Sequence, residues 1–273
     1  MNQKVILITG ASSGIGKSTA LQLIAEGHTV YGAARRIDKM RDLIDAGGRA
    51  LKMDVTSDAE VKAAVQSIEA EHGPIDVLIN NAGYAIYGAV EDTTIDDARR
   101  QFEVNLFGLA RVTQAVLPGM RKRRAGTIIN ISSMGGKVYT PLGAWYHATK
   151  HALEGWSDCL RLELAEFGID VVIIEPGIIE TEFGEVMIGP MMERSGKGTY
   201  ATLAAKMKRT SASSYTKGGG SPASVIAHTI SKAIRSNRPK TRYAAGKFAK
   251  LMIAVRALVS DRFFDKLVMS QVK

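Results

Sequence analysis

Val5-Ile6-Leu7-Ile8-Thr9-Gly10-Ala11-Ser12-Ser13-Gly14-Ile15-Gly16, running into Lys17 to Glu26, is the stretch whose reading decides the fold. The apolar run reads as a buried strand, and the residues after Gly16 read as a helix. Between them the glycines fall in a G-x-x-x-G-x-G spacing. Glycine permits a tight turn and lets the backbone come close to a pyrophosphate, which then meets unpaired N–H groups at the positive end of the helix. A rival pattern overlaps it, because Ala11 to Ser18 would be the phosphate loop of a nucleotide hydrolase if Ala11 stood in place of a glycine. The strict pattern fails at Ala11, and a hydrolase has no use for the tyrosine and lysine met further on.

Outward from this turn, apolar runs recur at Thr29 to Ala33, Ala50 to Met53, Val77 to Asn80, Thr127 to Ile131 and Val171 to Ile174, with helix-like segments between them. Gly27, Gly47, Gly73 with Pro74, and Gly168 stand where those helices would stop. Repeated β-α alternation predicts an α/β fold: a doubly wound parallel sheet of the Rossmann type, about seven strands with helices on both faces, in a three-layer sandwich. Ligands of such sheets bind at the carboxyl ends of the strands. No repeat or low-complexity linker interrupts the chain, so residues 1–273 read as one domain, with Ser211 to Pro222 as a loop.

The second strand runs out at Ala34-Arg35-Arg36, roughly 20 residues past the glycine turn, where an acidic side chain would grip the adenosine ribose of NAD. No acid is there. Guanidiniums pair bidentately with a phosphate, and Ser13 adds a hydroxyl donor, so the expected cofactor is NADP(H). Tyr146 and Lys150 are four apart on Ala144 to Phe167, which reads as a long helix, and therefore share a face. A tyrosine titrates at about 10, and a nearby ammonium favours its phenolate, each tenfold gain in the acid constant being worth about 1.36 kcal/mol. Ser133 lies thirteen residues upstream of Tyr146, just past a strand, where its hydroxyl could hold a substrate oxygen.

With these residues in that order, the sequence resembles the short-chain dehydrogenase/reductase family, in its single-domain branch. The resemblance covers about residues 4 to 185. Thr9 to Gly16 is similar to the T-G-x-x-x-G-x-G turn that holds the cofactor through Gly10, Ser12, Ser13, Gly14, Ile15 and Gly16. Asp54-Val55 resembles the pair beside the adenine, and Asn80-Asn81-Ala82-Gly83 the N-N-A-G after the fourth strand. Asn105 is similar to the family's active-site asparagine, and Tyr146 with Lys150 to its Y-x-x-x-K pair. Pro176-Gly177, with Ile179 and Thr181, resembles the segment that meets the nicotinamide carboxamide. The resemblance implies a mechanism. Ser133 hydrogen-bonds the substrate oxygen and Tyr146 moves its proton. Lys150 lowers the tyrosine pKa and holds the nicotinamide ribose, while Asn105 serves a proton relay and hydride crosses at the nicotinamide. It also implies a homodimer or homotetramer.

Composition bounds the rest. Hydrophobic residues at 45% and charged residues at 23% are ordinary for a globular protein. Met1 to Lys4 leads straight into the first strand without the apolar stretch of a signal peptide, and no run approaches a spanning helix. With a single cysteine, Cys159, expected to fill core, a cytoplasmic location is expected. Residues 201–273 carry 15 Lys/Arg against 2 Asp/Glu, while residues 1–200 sum to −4. A solvated face is the ordinary reading of such a block, so no nucleic-acid partner is expected. His147 and His151 are i, i+4 without a third ligand, and read as helix-surface residues rather than a metal site. Trp145 and Trp156 read as packing residues, and Tyr139 as either a substrate contact or loop filling.

Residues 184–220 stand where the family carries a variable substrate lid, and Met187, Met191, Met192 and Tyr200 make it apolar. Residues 221–273 form an extension like that of steroid- and retinol-dehydrogenase-like members, with Phe248, Leu251, Met252, Val255 and Leu258 on one helical face. Packing over the pocket is the expectation for this face, and peripheral membrane contact the alternative. Three readings follow. First is a carbonyl/alcohol oxidoreductase acting on an apolar, steroid- or lipid-like substrate. Second is a 3-oxoacyl thioester reductase. Third is a non-catalytic NADP(H) sensor, against which Asn105, Ser133, Tyr146 and Lys150 argue.

Overall fold

The computed structural model describes residues 3–215 and 218–272; Met1, Asn2, Thr216, Lys217 and Lys273 lie outside them. The first half alternates regularly: β1 (Val5–Thr9), α1 (Gly14–Ala25), β2 (Thr29–Ala34), α2 (Arg41–Asp45), β3 (Arg49–Lys52), α3 (Asp58–His72) and β4 (Val77–Asn80). After it come α4 (Ile95–Phe102), a π-helical segment (Glu103–Gly108), α5 (Leu109–Arg123), β5 (Gly126–Ile131), α6 (Ala144–Leu164) and β6 (Ile169–Pro176). The last third holds β7 (Ile179–Glu180), α7 (Phe183–Ser195), α8 (Ala201–Ser214), β8 (Ser221–Pro222), α9 (Ser224–Arg235), β9 (Arg242–Ala245), α10 (Ala249–Leu258) and α11 (Asp261–Gln271).

Seven strands make one sheet in the order β3-β2-β1-β4-β5-β6-β9, every neighbouring pair parallel. Strand alternation sorts the side chains. Ile6 and Ile8 of β1 face α1 and α9 through Leu23, Ile226 and Ile230, whereas Leu7 faces α3, α5 and α6 through Val65, Val116 and Leu160. Both faces are thus covered, as the continuous apolar strands require. The chain winds one way from β1 to β3 and the other from β4 onward, so the crevice between β1 and β4 is the switch point at which ligands bind.

The sequence did not locate the seventh strand. β9 lies where a loop would be read, and it is tied down by charge. Arg242 donates to Glu154 Oε2 (3.0 Å) and Asp158 Oδ2 (2.6 Å) of α6 and lies 3.7 Å from Glu175 Oε1 of β6. Lys137 adds a second cation 3.1 Å from Glu154. Glu175 is buried, and that burial pushes its carboxyl up to about 7, with the Glu154 carboxylate adding to the effect.

Other local expectations shift too. Cys159 is exposed rather than in the core, because α6 buries the stripe Leu153, Ser157, Leu160 and Leu164, and position 159 falls outside it. The loop expected from Ser211 starts later, since α8 continues to Ser214. The helix expected to reach Phe167 ends as α-helix at Leu164 and finishes in a 3-10 turn. The C-terminal face also divides: Met252 and Val255 pack with Val138, Phe264 and Val268, while Phe248, Leu251 and Leu258 remain exposed.

Phe264 is fully buried, so Phe264→Ala is expected to lower unfolding stability by roughly 3 kcal/mol or more in urea titrations. A change near zero would mean that α11 is not part of the folded core. For Glu175 the sign follows from its raised pKa. The folded form holds the proton more tightly than the unfolded chain, so its carboxylate costs stability increasingly as pH rises from about 4.5 to about 7. Glu175→Gln should therefore gain on the parent across that window, by on the order of 2 kcal/mol at its top. Parallel pH profiles for the two proteins would contradict this.

Candidate active site

At the switch point the glycine turn is enclosed on three sides. Asn81 donates its side-chain amide to Thr9 O (3.0 Å) and Gly10 O (3.1 Å), while Thr9 Oγ1 accepts from the N–H groups of Asn81 and Ala82, both at 3.0 Å. A Cβ at Gly16 would stand 2.4 Å from both Asn81 Nδ2 and Gly10 O, and Gly10 has φ +68° against the backbone of Ala82. Only glycine fits this cradle. Thr181 closes the open side, its methyl 3.3 Å from where a Cβ of Gly14 would lie. Ile15 packs into the core beneath, and the Pro176-Gly177 bend is pinned by Gly177 N donating to Ala245 O (2.8 Å), with Ile179 paired to Ser221.

The two arginines separate in role. Arg36 reaches back over the turn, its guanidinium 3.3 Å from Ser13 Oγ and 3.4 Å from Ser12 Oγ, with Glu182 at 3.8 Å. Arg35 is exposed and acts electrostatically on the Tyr84 phenol. Asp54 caps its own turn by accepting from Thr56 N–H (2.9 Å) and Oγ1–H (2.8 Å), and Val55 lies under Gly108, where a Cβ would come within 2.7 Å of it. Backbone N–H groups at the turn, a guanidinium and two hydroxyls are thus brought together, a donor set suited to the phosphate groups of a dinucleotide.

Across the carboxyl edge, Ser133 and Tyr146 are brought together. Ser133 Oγ accepts from Gly135 N–H (2.9 Å), and its hydroxyl is the group that lowers the Tyr146 pKa. Burial overrides it and raises the phenol well above the ordinary tyrosine range. Lys150 lies one turn further along α6. It is buried, its ammonium donates to Ile131 O (2.8 Å) at the end of β5, and burial pushes it down to about 8 while Glu154 pulls the other way. Asn105 sits in the π-helical segment, a local geometry common at functional sites. Its Oδ1 accepts from Tyr84 N–H (3.1 Å), and its Nδ2 donates to Tyr84 O (2.9 Å) and Thr149 Oγ1 (3.1 Å). Gly83, after Ala82, leaves the room that Asn105 Oδ1 needs, 3.2 Å from a Cβ position there.

His147 is not a surface residue. It is buried, Nδ1 donates to Gly135 O (3.0 Å), and Nε2 accepts from Thr140 N–H (3.1 Å) with Thr140 Oγ1 at 3.0 Å. Burial pushes its pKa down to about 4, so the ring is neutral and staples the Ser133 loop to α6. Nothing in an i, i+4 histidine spacing signals this, because its partners come from a loop. His151 is the exposed member of the two. Tyr139 turns away, stacking on Phe264 (centroids 5.2 Å apart) and donating to Asp265 (3.0 Å). Trp156 packs on the core, and Trp145 lines a surface hollow with Ile95, Phe102 and Phe107.

The segment from Phe183 to Tyr215 packs over Tyr146. Phe183 contacts the phenol ring at 5.7 Å and Tyr215 contacts Phe183 at the same separation, while Tyr87 covers the other side at 6.0 Å. Met187, Met191 and Met207 fill the space behind. At the far end Ser195 Oγ donates to Asp92 (2.6 Å) and accepts from Ala89 N–H (2.9 Å). The methionines read from segment 184–220 lie in this cluster, whereas Phe183, one residue before that segment, is not among the residues read from the sequence.

Residues 4–188 match the family described as short chain dehydrogenase. A 3-ketodihydrosphingosine reductase of Bacteroides thetaiotaomicron is 46% identical over 187 residues, spanning 67% of this chain and 66% of that protein. A short-chain dehydrogenase from Streptomyces avermitilis superposes with a TM-score of 0.79 at 33% identity, covering 98% of this chain and 96% of its own. The closed form of serine dehydrogenase complexed with NADP+ gives 0.74 at 26% identity, covering 87% and 92%. With the sheet order, the glycine cradle and the Ser133–Tyr146 pair, these place the chain in the short-chain dehydrogenase family, as an oxidoreductase of the alcohol–carbonyl couple that takes a nicotinamide cofactor.

Proposed function

We propose that the protein is an NADP(H)-dependent reductase of an apolar ketone, lipid-like in shape, working with residues 1–273 as one catalytic unit and 184–220 as its lid. The observation that carries this reading is the seat of Tyr146, beside Ser133 and under a roof of Phe183, Tyr215, Met187 and Met191. A polar substrate in that space would lose its hydration without compensating donors, whereas an acyl or ring system replaces one apolar contact with another. The name of the Bacteroides relative itself denotes reduction of a ketone on a lipid.

The cofactor reading rests on Arg36 over Ser12 and Ser13, with no acid at the end of β2. Gly10, Gly14, Ile15 and Gly16 would cradle the pyrophosphate, and Arg35 and Arg36 the 2′-phosphate. Asp54 and Val55 would flank the adenine. Asn81, Ala82, Gly83, Pro176, Gly177, Ile179 and Thr181 would line the nicotinamide half. When bound, the nicotinamide supplies the hydride.

The chain's own residues do the rest. Ser133 Oγ–H holds the ketone oxygen, and Tyr146 gives that oxygen its proton. Burial favours the protonated phenol, which is the form that reduction requires. Lys150, with a pKa near 8, is poised to exchange a proton near neutrality, and Asn105 fixes the Tyr84 main chain beside it. The family's usual assembly, a homodimer or homotetramer, is part of the proposal.

Two measurements test it. With NADPH, kcat/KM is expected to rise along a series of ketones of increasing chain length, and a preference for small polar carbonyls would sink the apolar reading. Tyr146→Phe is expected to cost about 10²–10⁴-fold in kcat while NADPH binding is retained. Unchanged turnover would remove Tyr146 from the chemistry.

A further inference from the structure

The C-terminal helices α10 and α11 have their inner faces fully committed. Phe264 and Val268 are buried against Val138, with Met252, Val255 and Val259 beside them. Arg256 lies 5.5 Å over the rings of both Tyr139 and Phe264, and Asp265 accepts from Tyr139. Both helices therefore pack on the same segment, Met134 to Tyr139, and their outer faces are held outward together.

Those outer faces are apolar. Leu258 is 85% exposed and Leu251 58%, and Phe248, Phe263 and Met269 are exposed as well. Of the 13 large hydrophobics exposed among the described residues, five fall between Phe248 and Met269. On α10, Leu251, Ala254 and Leu258 follow one another at helical spacing and form a single stripe. Among the described residues nothing covers it.

Charge says what could cover it. The two acids of these helices are exposed but each is engaged by a group of this chain, Asp261 accepting from Arg256 and Asp265 from Tyr139. Lys250, Arg262 and Lys266 are exposed, and among the described residues none of them has a carboxylate partner. A second copy of this face would set cations against cations. Anionic headgroups complement the cations, and the boundary beneath them accepts leucine and phenylalanine. No described helix is long and apolar enough to cross a membrane, so the face can lie on a bilayer rather than span it.

We propose that the outer face of α10 and α11 docks the protein on an anionic lipid surface, with Leu251, Leu258 and Phe263 entering the interface and Lys250, Arg262 and Lys266 engaging headgroups. The end of α11 reaches the lid: Val272 is buried in the cluster that holds Met191 and Met207, and Gln271 O accepts from Thr210 Oγ1 (3.0 Å). A docked molecule thus carries its lid next to the bilayer. The docking face itself is argued without reference to the substrate, and its test needs no turnover.

The test is co-sedimentation of the full chain with vesicles of phosphatidylcholine alone and of phosphatidylcholine mixed with phosphatidylglycerol, at low and high salt. Binding is expected with the anionic vesicles and should weaken as salt is raised. The double variants Leu251→Glu/Leu258→Glu and Lys250→Glu/Arg262→Glu should each lower partition at least about tenfold while urea midpoint and NADPH binding stay unchanged. Failure of the parent to sediment with anionic vesicles overturns the proposal, and so does a Leu251→Glu/Leu258→Glu variant that binds them equally well. Conversion of an oligomer to a monomer by that variant, with vesicle binding unchanged, would assign the face to a second copy instead.

Discussion

The side-chain amide of Asn81, donating to the carbonyls of Thr9 and Gly10, is the contact on which the rest of the site depends. It joins the carboxyl ends of β1 and β4 where the strand order reverses, and Thr9 completes the join by accepting from two N–H groups in return. Once the two strand ends are locked, the turn after β1 has no room for side chains at Gly10 or Gly16. The same lock sets Ala82 and Gly83 at the height where the π-helical turn can present Asn105. A cofactor contact inferred from sequence thus has a structural task first: its amide holds the cradle in shape. A partly buried amide with two bonds to main-chain carbonyls is costly to lose, because the carbonyls it serves would be left unpaired.

The second half of the site is held by a separate set of buried polar bonds. Asn80 donates to Asn130 Oδ1 (3.0 Å), Asn130 donates to Ser157 Oγ (2.9 Å), and α6 is thereby fixed against β4 and β5. His147 then pins the loop that carries Ser133 to the same helix. Tyr146 and Ser133 meet because both are referred to α6. The aromatic and methionine side chains packed over the phenol bury it, and that burial favours its protonated form. Preorganised groups in a dry site are worth more to a transition state than the same groups in water.

Much of this is legible in the sequence, and the reasons differ by element. The glycine turn, the strand-end serine and the tyrosine–lysine pair are local patterns of fixed spacing, and six of the seven strands overlap apolar runs read from the sequence. β9 is not such a run: Arg242-Tyr243-Ala244-Ala245 pairs with β6 because Arg242 finds Glu154 and Asp158 on α6, partners more than 80 residues away in sequence. His147, Cys159 and Tyr139 escape a local reading for the same reason, since which side of a helix or loop is covered depends on what folds back onto it. The C-terminal stripe shows both outcomes in one helix, Met252 and Val255 covered and Leu251 and Leu258 left outside. Arg35 and Arg36 are indistinguishable as a dipeptide, and only the fold turns Arg36 toward Ser12 and Ser13.

The most direct test of the account is a calorimetric titration of the purified protein with NADPH and NADH in parallel, repeated with Arg35→Ala and Arg36→Ala. The account predicts tighter binding of NADPH than of NADH, with Arg36→Ala removing at least about tenfold of that preference, or about 1.4 kcal/mol, while leaving NADH affinity nearly unchanged. Equal affinities for the two dinucleotides, or a preference that survives both substitutions, would contradict it.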